Sequence, residues 1–121
     1  LFIGSGVGMT PLVSMFKKAA SLNVPTQMIQ AVVTEDERPF AQKLDSITDN
    51  YEQAQLHLHV KDKEGYLEAK ELEQYLSEQP EIYICGGTKF LHSIINSLKE
   101  LNYDMNHVHF ETFIPRLSVQ V

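Results

Sequence analysis

The stretch Gly4-Ser5-Gly6-Val7-Gly8-Met9-Thr10-Pro11 follows an apolar Leu1-Phe2-Ile3 and runs straight into a helical pattern. A strand that enters a glycine-rich turn and leaves it as a helix is the opening of a nucleotide-binding α/β unit. Glycines let the backbone turn tightly and approach a phosphate closely. The helix behind them offers unpaired N–H groups and the positive end of its dipole. Leu1 to Ile3 is short for a central strand and Leu1 is not an initiator Met, so residues 1–121 are expected to form one domain of a larger protein.

Composition narrows the classes. The 121 residues are 43% apolar and 21% charged, enough for one compact domain with its own core. Ten Lys and Arg against sixteen Asp and Glu give a net charge of -6, which repels a phosphate backbone and makes nucleic acid an unsuitable partner. A single cysteine excludes an internal disulfide and suits a reducing compartment, so a cytoplasmic location is expected. No apolar run reaches the length of a membrane span, so no membrane partner is expected.

Outward from the first turn, periodicity alternates between helix and strand. Leu12, Met15, Phe16 and Ala19 recur at helical spacing behind Thr10-Pro11, a cap followed by a first-turn proline. Gln27 to Val33 reads as a buried strand, and Pro39 opens a second helix with Phe40, Leu44, Ile47 and Tyr51 on one face. Leu56, Leu58 and Val60 alternate with His57, His59 and Lys61, the pattern of an edge strand with one wetter face. Ala69, Leu72 and Leu76 mark a short helix, and Ile82-Tyr83-Ile84 a strand that runs into Cys85-Gly86-Gly87. A long helix carries Leu91, Ile94, Ile95, Leu98 and Leu101, and a last strand spans His107 to Phe113 before Pro115. This alternation predicts an α/β fold: a three-layer, doubly wound, Rossmann-like sandwich around a five-stranded parallel sheet. Ligands of such sheets bind beyond the C-terminal strand ends, where the strand order reverses.

The first turn alone is shared by several nucleotide-binding classes. It departs from the dinucleotide fingerprint at Pro11, lacks the Gly-Lys-Ser/Thr of a P-loop, and has Ile3 where a nucleophile elbow needs glycine. A second glycine turn, Cys85-Gly86-Gly87-Thr88, again joins a strand to a helix, so that one dinucleotide could touch both. Gly6-x-Gly8-x-Thr10-Pro11, then Cys85-Gly86-Gly87, then Glu111-x-Phe113 resembles the pyridine-nucleotide domain of the ferredoxin–NADP reductase superfamily over the whole chain. Ile82 to Phe90 and His109 to Pro115 look most like the C-terminal part of bacterial flavohaemoglobins, which are nitric oxide dioxygenases. Ile114 stands where that family often has glycine.

The resemblance implies a three-part parent, with a haem globin domain and an FAD-binding domain in the same polypeptide as this NAD(P)H-binding domain. Hydride passes from nicotinamide to FAD, and electrons pass on to haem, where nitric oxide becomes nitrate. FAD and haem belong to those other domains and are not expected on this chain alone, which by itself is expected to be inactive. Gly6, Val7, Gly8, Met9, Thr10 and Pro11 are the expected cradle of the pyrophosphate. Cys85, Gly86, Gly87 and Thr88 form the expected nicotinamide side, with Cys85 as a small polarizable wall and not a nucleophile. Glu111 is expected to orient the nicotinamide or offset developing charge, and Phe113 to cover a ring. A packed cysteine, a solvated carboxylate and a core phenylalanine are the plainer alternatives for these three.

At the ribose end, Glu35 within Thr34-Glu35-Asp36-Glu37-Arg38 suits the free hydroxyls of NADH better than the phosphate of NADPH. Arg38 is the one residue there that would admit NADPH, and a solvated surface charge is its plainer reading. Two histidine pairs, His57 with His59 and His107 with His109, lack a cysteine or carboxylate cluster at zinc spacing, so no metal is expected. Three rivals remain open to the sequence: the reductase domain of another FAD-dependent electron-transfer protein, a methyltransferase-like domain for S-adenosylmethionine, and a non-catalytic module that senses NADH.

Overall fold

The computed structural model describes residues 1–6 and 9–112. Val7, Gly8 and Phe113, with Ile114 and Pro115, lie outside the described residues. The chain runs through β1 (Phe2–Ser5), α1 (Thr10–Ser21), β2 (Thr26–Val32), α2 (Ala41–Asn50) and β3 (Ala54–Val60). It continues through α3 (Lys61–Glu64), α4 (Ala69–Glu73), β4 (Ile82–Gly86), α5 (Thr88–Glu100) and β5 (Val108–Thr112), the last preceded by a 3₁₀ turn at Met105–His107. Five strands in the order β3-β2-β1-β4-β5 make one sheet, and every neighbouring pair is parallel. The expected doubly wound sandwich is the observed fold.

The first strand is longer than its apolar triplet. Gly4 and Ser5 continue it, and β1 occupies the centre of the sheet, pairing Phe2 with Met28 on one side and with Tyr83 on the other. Successive residues point to opposite faces, so the strand divides its side chains between two cores. Phe2, Met28 and Cys85 pack with Leu12, Phe16, Leu44 and Ile47 beneath α1 and α2. Ile3, Ile29, Ile82 and Ile84 pack with Leu72, Leu91, Ile94 and Leu98 beneath α4 and α5. Each large apolar side chain sealed this way contributes roughly 1.5–3 kcal/mol.

Three local expectations are corrected. The buried face of α1 is Leu12, Val13, Phe16 and Ala20, not the row through Met15 and Ala19, and Met15 is exposed. Leu12, Phe16 and Ala20 form a straight i, i+4, i+8 ridge that fits the groove of the sheet, which turns Met15 to the flank. The cap lies at Met9, so Thr10 is the first helical residue and Pro11 the second, still within the turn where a missing N–H costs nothing. On β3, an edge strand as expected, the histidine face is wet only at its start: Gln55 is exposed and His57 half-buried, but His59 is buried, and Lys61 begins α3. The segment after β3 folds back over that face, giving His59 the carbonyl of Gly65 at 2.9 Å and His57 the ring of Tyr75 at 4.9 Å.

Candidate nucleotide site

Because all five strands are parallel, their C-terminal ends form one rim. A cleft of about 970 Å³ opens along it, from the ends of β1, β2 and β3 to the first turns of α5. It is lined by Ser5 and Gly6 after β1, Val33 and Arg38 after β2, Tyr66 after β3, and Lys89 and Phe90 on α5.

The two glycine turns meet as the sequence suggests, because β1 and β4 are neighbours and Gly4 is in register with Cys85. Gly6 has φ +61°, the left-handed region, and a Cβ placed there would meet nothing within 4 Å. The turn therefore needs glycine for its conformation and leaves bare backbone facing open space. Gly86 is needed for a different reason. A Cβ on it would lie 2.6 Å from Ser5 Oγ and 2.7 Å from Phe90 Cδ2, so its missing side chain is what lets α5 close against β1. Gly87 caps α5, and a Cβ there would also meet nothing within 4 Å. Bare backbone at Gly6 and Gly87, each just before a helix of twelve or thirteen residues, fits an elongated anion such as a dinucleotide. Met9 is buried, while Thr10, Pro11 and Thr88 are exposed in the first turns of their helices.

Cys85 is 5% exposed and belongs to the core under α1. Burial, and then the carboxylate of Glu111, pushes its thiol pKa up. Glu111 is exposed on β5, in register beside Cys85. The pair presents a neutral thiol next to a carboxylate at the strand ends, with no activated nucleophile.

The ribose end differs from expectation. Glu35 is exposed and pairs with Lys63 Nζ at 2.5 Å, and it is not among the residues lining the cleft. Asp36, Glu37 and Arg38 line it instead. Arg38 is no solvated charge: its side chain is 19% exposed, Nη2 donates to Asp45 at 3.0 Å, and Nε donates to Gln30 at 3.3 Å. Both histidine pairs have protein partners. His57 Nε2 lies 2.8 Å from Gln27 Oε1, and burial lowers its pKa. His107 and His109 share the carboxylate of Glu81 at the opposite rim. Among the described residues no group of three or more His, Cys, Asp or Glu is arranged to hold a metal ion.

Sequence reasoning missed Tyr66, Lys89 and Phe90. Tyr66 is 67% exposed, and Lys61 Nζ stands 4.5 Å from its ring centroid, while a hydrogen bond from Lys61 draws the phenol pKa down. Gly65 before an exposed tyrosine, and a cation directly after Gly86-Gly87-Thr88, were signals available in the sequence. Nothing local marks Phe90, whose place follows from the glycine opposite it.

With this geometry established, known proteins bear on it. Residues 2–95 match the family described as the oxidoreductase NAD-binding domain. Flavohemoprotein B of Dictyostelium discoideum is 26% identical over 98% of the chain and 31% of that protein. The glycine betaine monooxygenase reductase subunit of Chromohalobacter salexigens is 28% identical over 93% of the chain and 34% of that subunit. The chain thus spans about a third of the length of these relatives. A flavohemoglobin from Malassezia yamatoensis, solved with bound FAD and heme, superposes with TM-score 0.81 and 19% identity, over 93% of the chain and 31% of its own.

Proposed function

Because the chain belongs to the oxidoreductase NAD-binding domain family, we propose that it binds NAD(P)H across this cleft and presents it to FAD on a neighbouring domain. The observation that carries the reading is the juxtaposition of two glycine turns at the ends of the adjacent strands β1 and β4: Gly6 lines the cleft, and Gly86-Gly87 lead into α5, whose Lys89 and Phe90 line its other side. The nicotinamide supplies the hydride. The chain's own part is to bind and orient. Backbone N–H groups around Gly6, Met9 and Thr10 meet the pyrophosphate with the dipole of α1 behind them. Cys85 and Glu111 border the nicotinamide, the thiol as a neutral wall and the carboxylate as an acceptor. Val7, Gly8, Pro11, Thr88 and Phe113 complete the proposed contacts.

The parent reading that agrees best is a flavohaemoglobin, in which FAD-binding and globin domains of the same polypeptide use these electrons to oxidise nitric oxide to nitrate. The flavohemoprotein relatives support it. The family match disfavours the methyltransferase alternative. A cytoplasmic location fits this role, and no helix among the described residues is long and apolar enough to cross a membrane. NADH is the proposed form, with Asp36 on the cleft as the carboxylate that favours free ribose hydroxyls over a phosphate and Glu35, paired with Lys63, in a lesser part.

Calorimetric titration of the chain with NADH tests the proposal. Weak saturable binding is expected, with no NADH oxidation when flavin is withheld. Absence of binding would remove the nucleotide reading, and steady turnover by the chain alone would contradict the division of labour between domains.

A further inference from the structure

One polar side chain lies in the middle of the sheet with no exposure at all. Gln30 on β2 is 0% exposed, in register between Gly4 of β1 and Leu58 of β3. An amide in that position is costly unless each of its groups is paired. Nε2 donates to the carbonyl of Pro39 at 2.8 Å and lies 4.0 Å from Met9 Sδ, and Oε1 accepts from Arg38 Nε at 3.3 Å. Its orientation is decided by chemistry, since the Pro39 carbonyl only accepts and Arg38 only donates.

These partners are not arbitrary. Met9 is the cap of α1, where the first glycine turn enters the helix, and Arg38 and Pro39 line the cleft on the far side of β2. Arg38 is held in turn by Asp45 of α2. We propose that Gln30 is a positioning residue for the nucleotide: one buried amide ties the entrance of α1 to the Arg38-Pro39 turn, so that both sides of the cleft hold a fixed separation. The inference rests on the reading of the cleft as a pyridine-nucleotide site.

The test titrates the 121-residue chain, Gln30→Leu, Arg38→Lys and the double variant with NADH. Leucine nearly matches glutamine in shape but neither donates nor accepts. Lysine keeps the charge but replaces the planar fork, which reaches Gln30 and Asp45 from separate nitrogens, with a single ammonium. Each single variant is expected to weaken NADH binding about tenfold, the double being no worse than Gln30→Leu because both act through one turn. In Gln30→Leu without nucleotide, amide hydrogen exchange is expected to rise both at residues 34–40 and at Met9 and Thr10.

Unchanged NADH affinity in folded Gln30→Leu overturns the proposal even when its melting temperature falls, because a merely structural amide lowers stability and leaves affinity alone. If Gln30→Leu fails to fold, Arg38→Lys decides, and unchanged affinity there overturns it. If the wild-type chain binds no NADH, the reading of the cleft falls, and exchange judges the link by itself: a rise that stays in the turn and does not reach Met9 overturns it.

Discussion

Cys85 is where packing and chemistry meet. Its sulfur is buried in the core under α1, yet its strand neighbour in register is the exposed Glu111. Burial and that carboxylate both raise the thiol pKa, which leaves less thiolate at any given pH. Alkylation by iodoacetamide should therefore be slow at neutral pH and reach half its maximal rate above the value of about 8.5 seen for a free cysteine. Glu111→Gln should move that midpoint down, and a wild-type midpoint below the free value would identify an activated nucleophile instead. Next to it, Gly86→Ala should cost about 1–3 kcal/mol in urea unfolding, because the added methyl collides with Ser5 and Phe90. Unchanged stability would mean that α5 shifts freely. Gly86 was legible in the sequence as part of a motif, but its reason was not, since the atoms it accommodates come from β1 and α5.

Among the elements, the β4–β5 pair carries a charge cluster on the rim opposite the cleft. Glu81 accepts from His109 and His107, and these hydrogen bonds hold its pKa below the ordinary carboxylate value. A depressed carboxylate pKa adds stability that is complete above the unfolded-state pKa and is lost as pH falls through the folded one. The stability advantage of wild type over Glu81→Gln should thus persist from neutral pH to about 4.3 and shrink on further acidification. Urea midpoints of the two proteins measure it, and an advantage that stays undiminished as pH falls well below about 4.3 would contradict the pairing. Elements were legible wherever a long periodic pattern decided them, as in β2, α2 and α5. What escaped was set by neighbours distant in sequence. The inward row of α1 depends on the groove it fills, His59 is buried by the Gly65 turn, and Arg38 is drawn inward by Gln30 and Asp45.

At the scale of the molecule, alternation of strand and helix sufficed for the parallel sandwich, and the two glycine motifs sufficed for the rim that carries the cleft. Cofactor choice was less legible, because Lys63 lies far along the chain from the Glu35 it neutralises. If a carboxylate on the cleft excludes a ribose phosphate, NADH should bind about tenfold to a hundredfold better than NADPH at low salt. Asp36→Asn should narrow that gap more than Glu35→Gln, since Asp36 lines the cleft and Glu35 is already paired. Equal affinities for both cofactors in the wild type would remove the carboxylates from the choice. The central position of β1 has a kinetic consequence as well. Phe2 must find Tyr83, far along the sequence, before the two halves of the sheet join, and closing so long a loop is slow. The cleft straddles that seam, so it is complete only once β1 and β4 have paired, and a bound nucleotide should act as a clasp that retards unfolding.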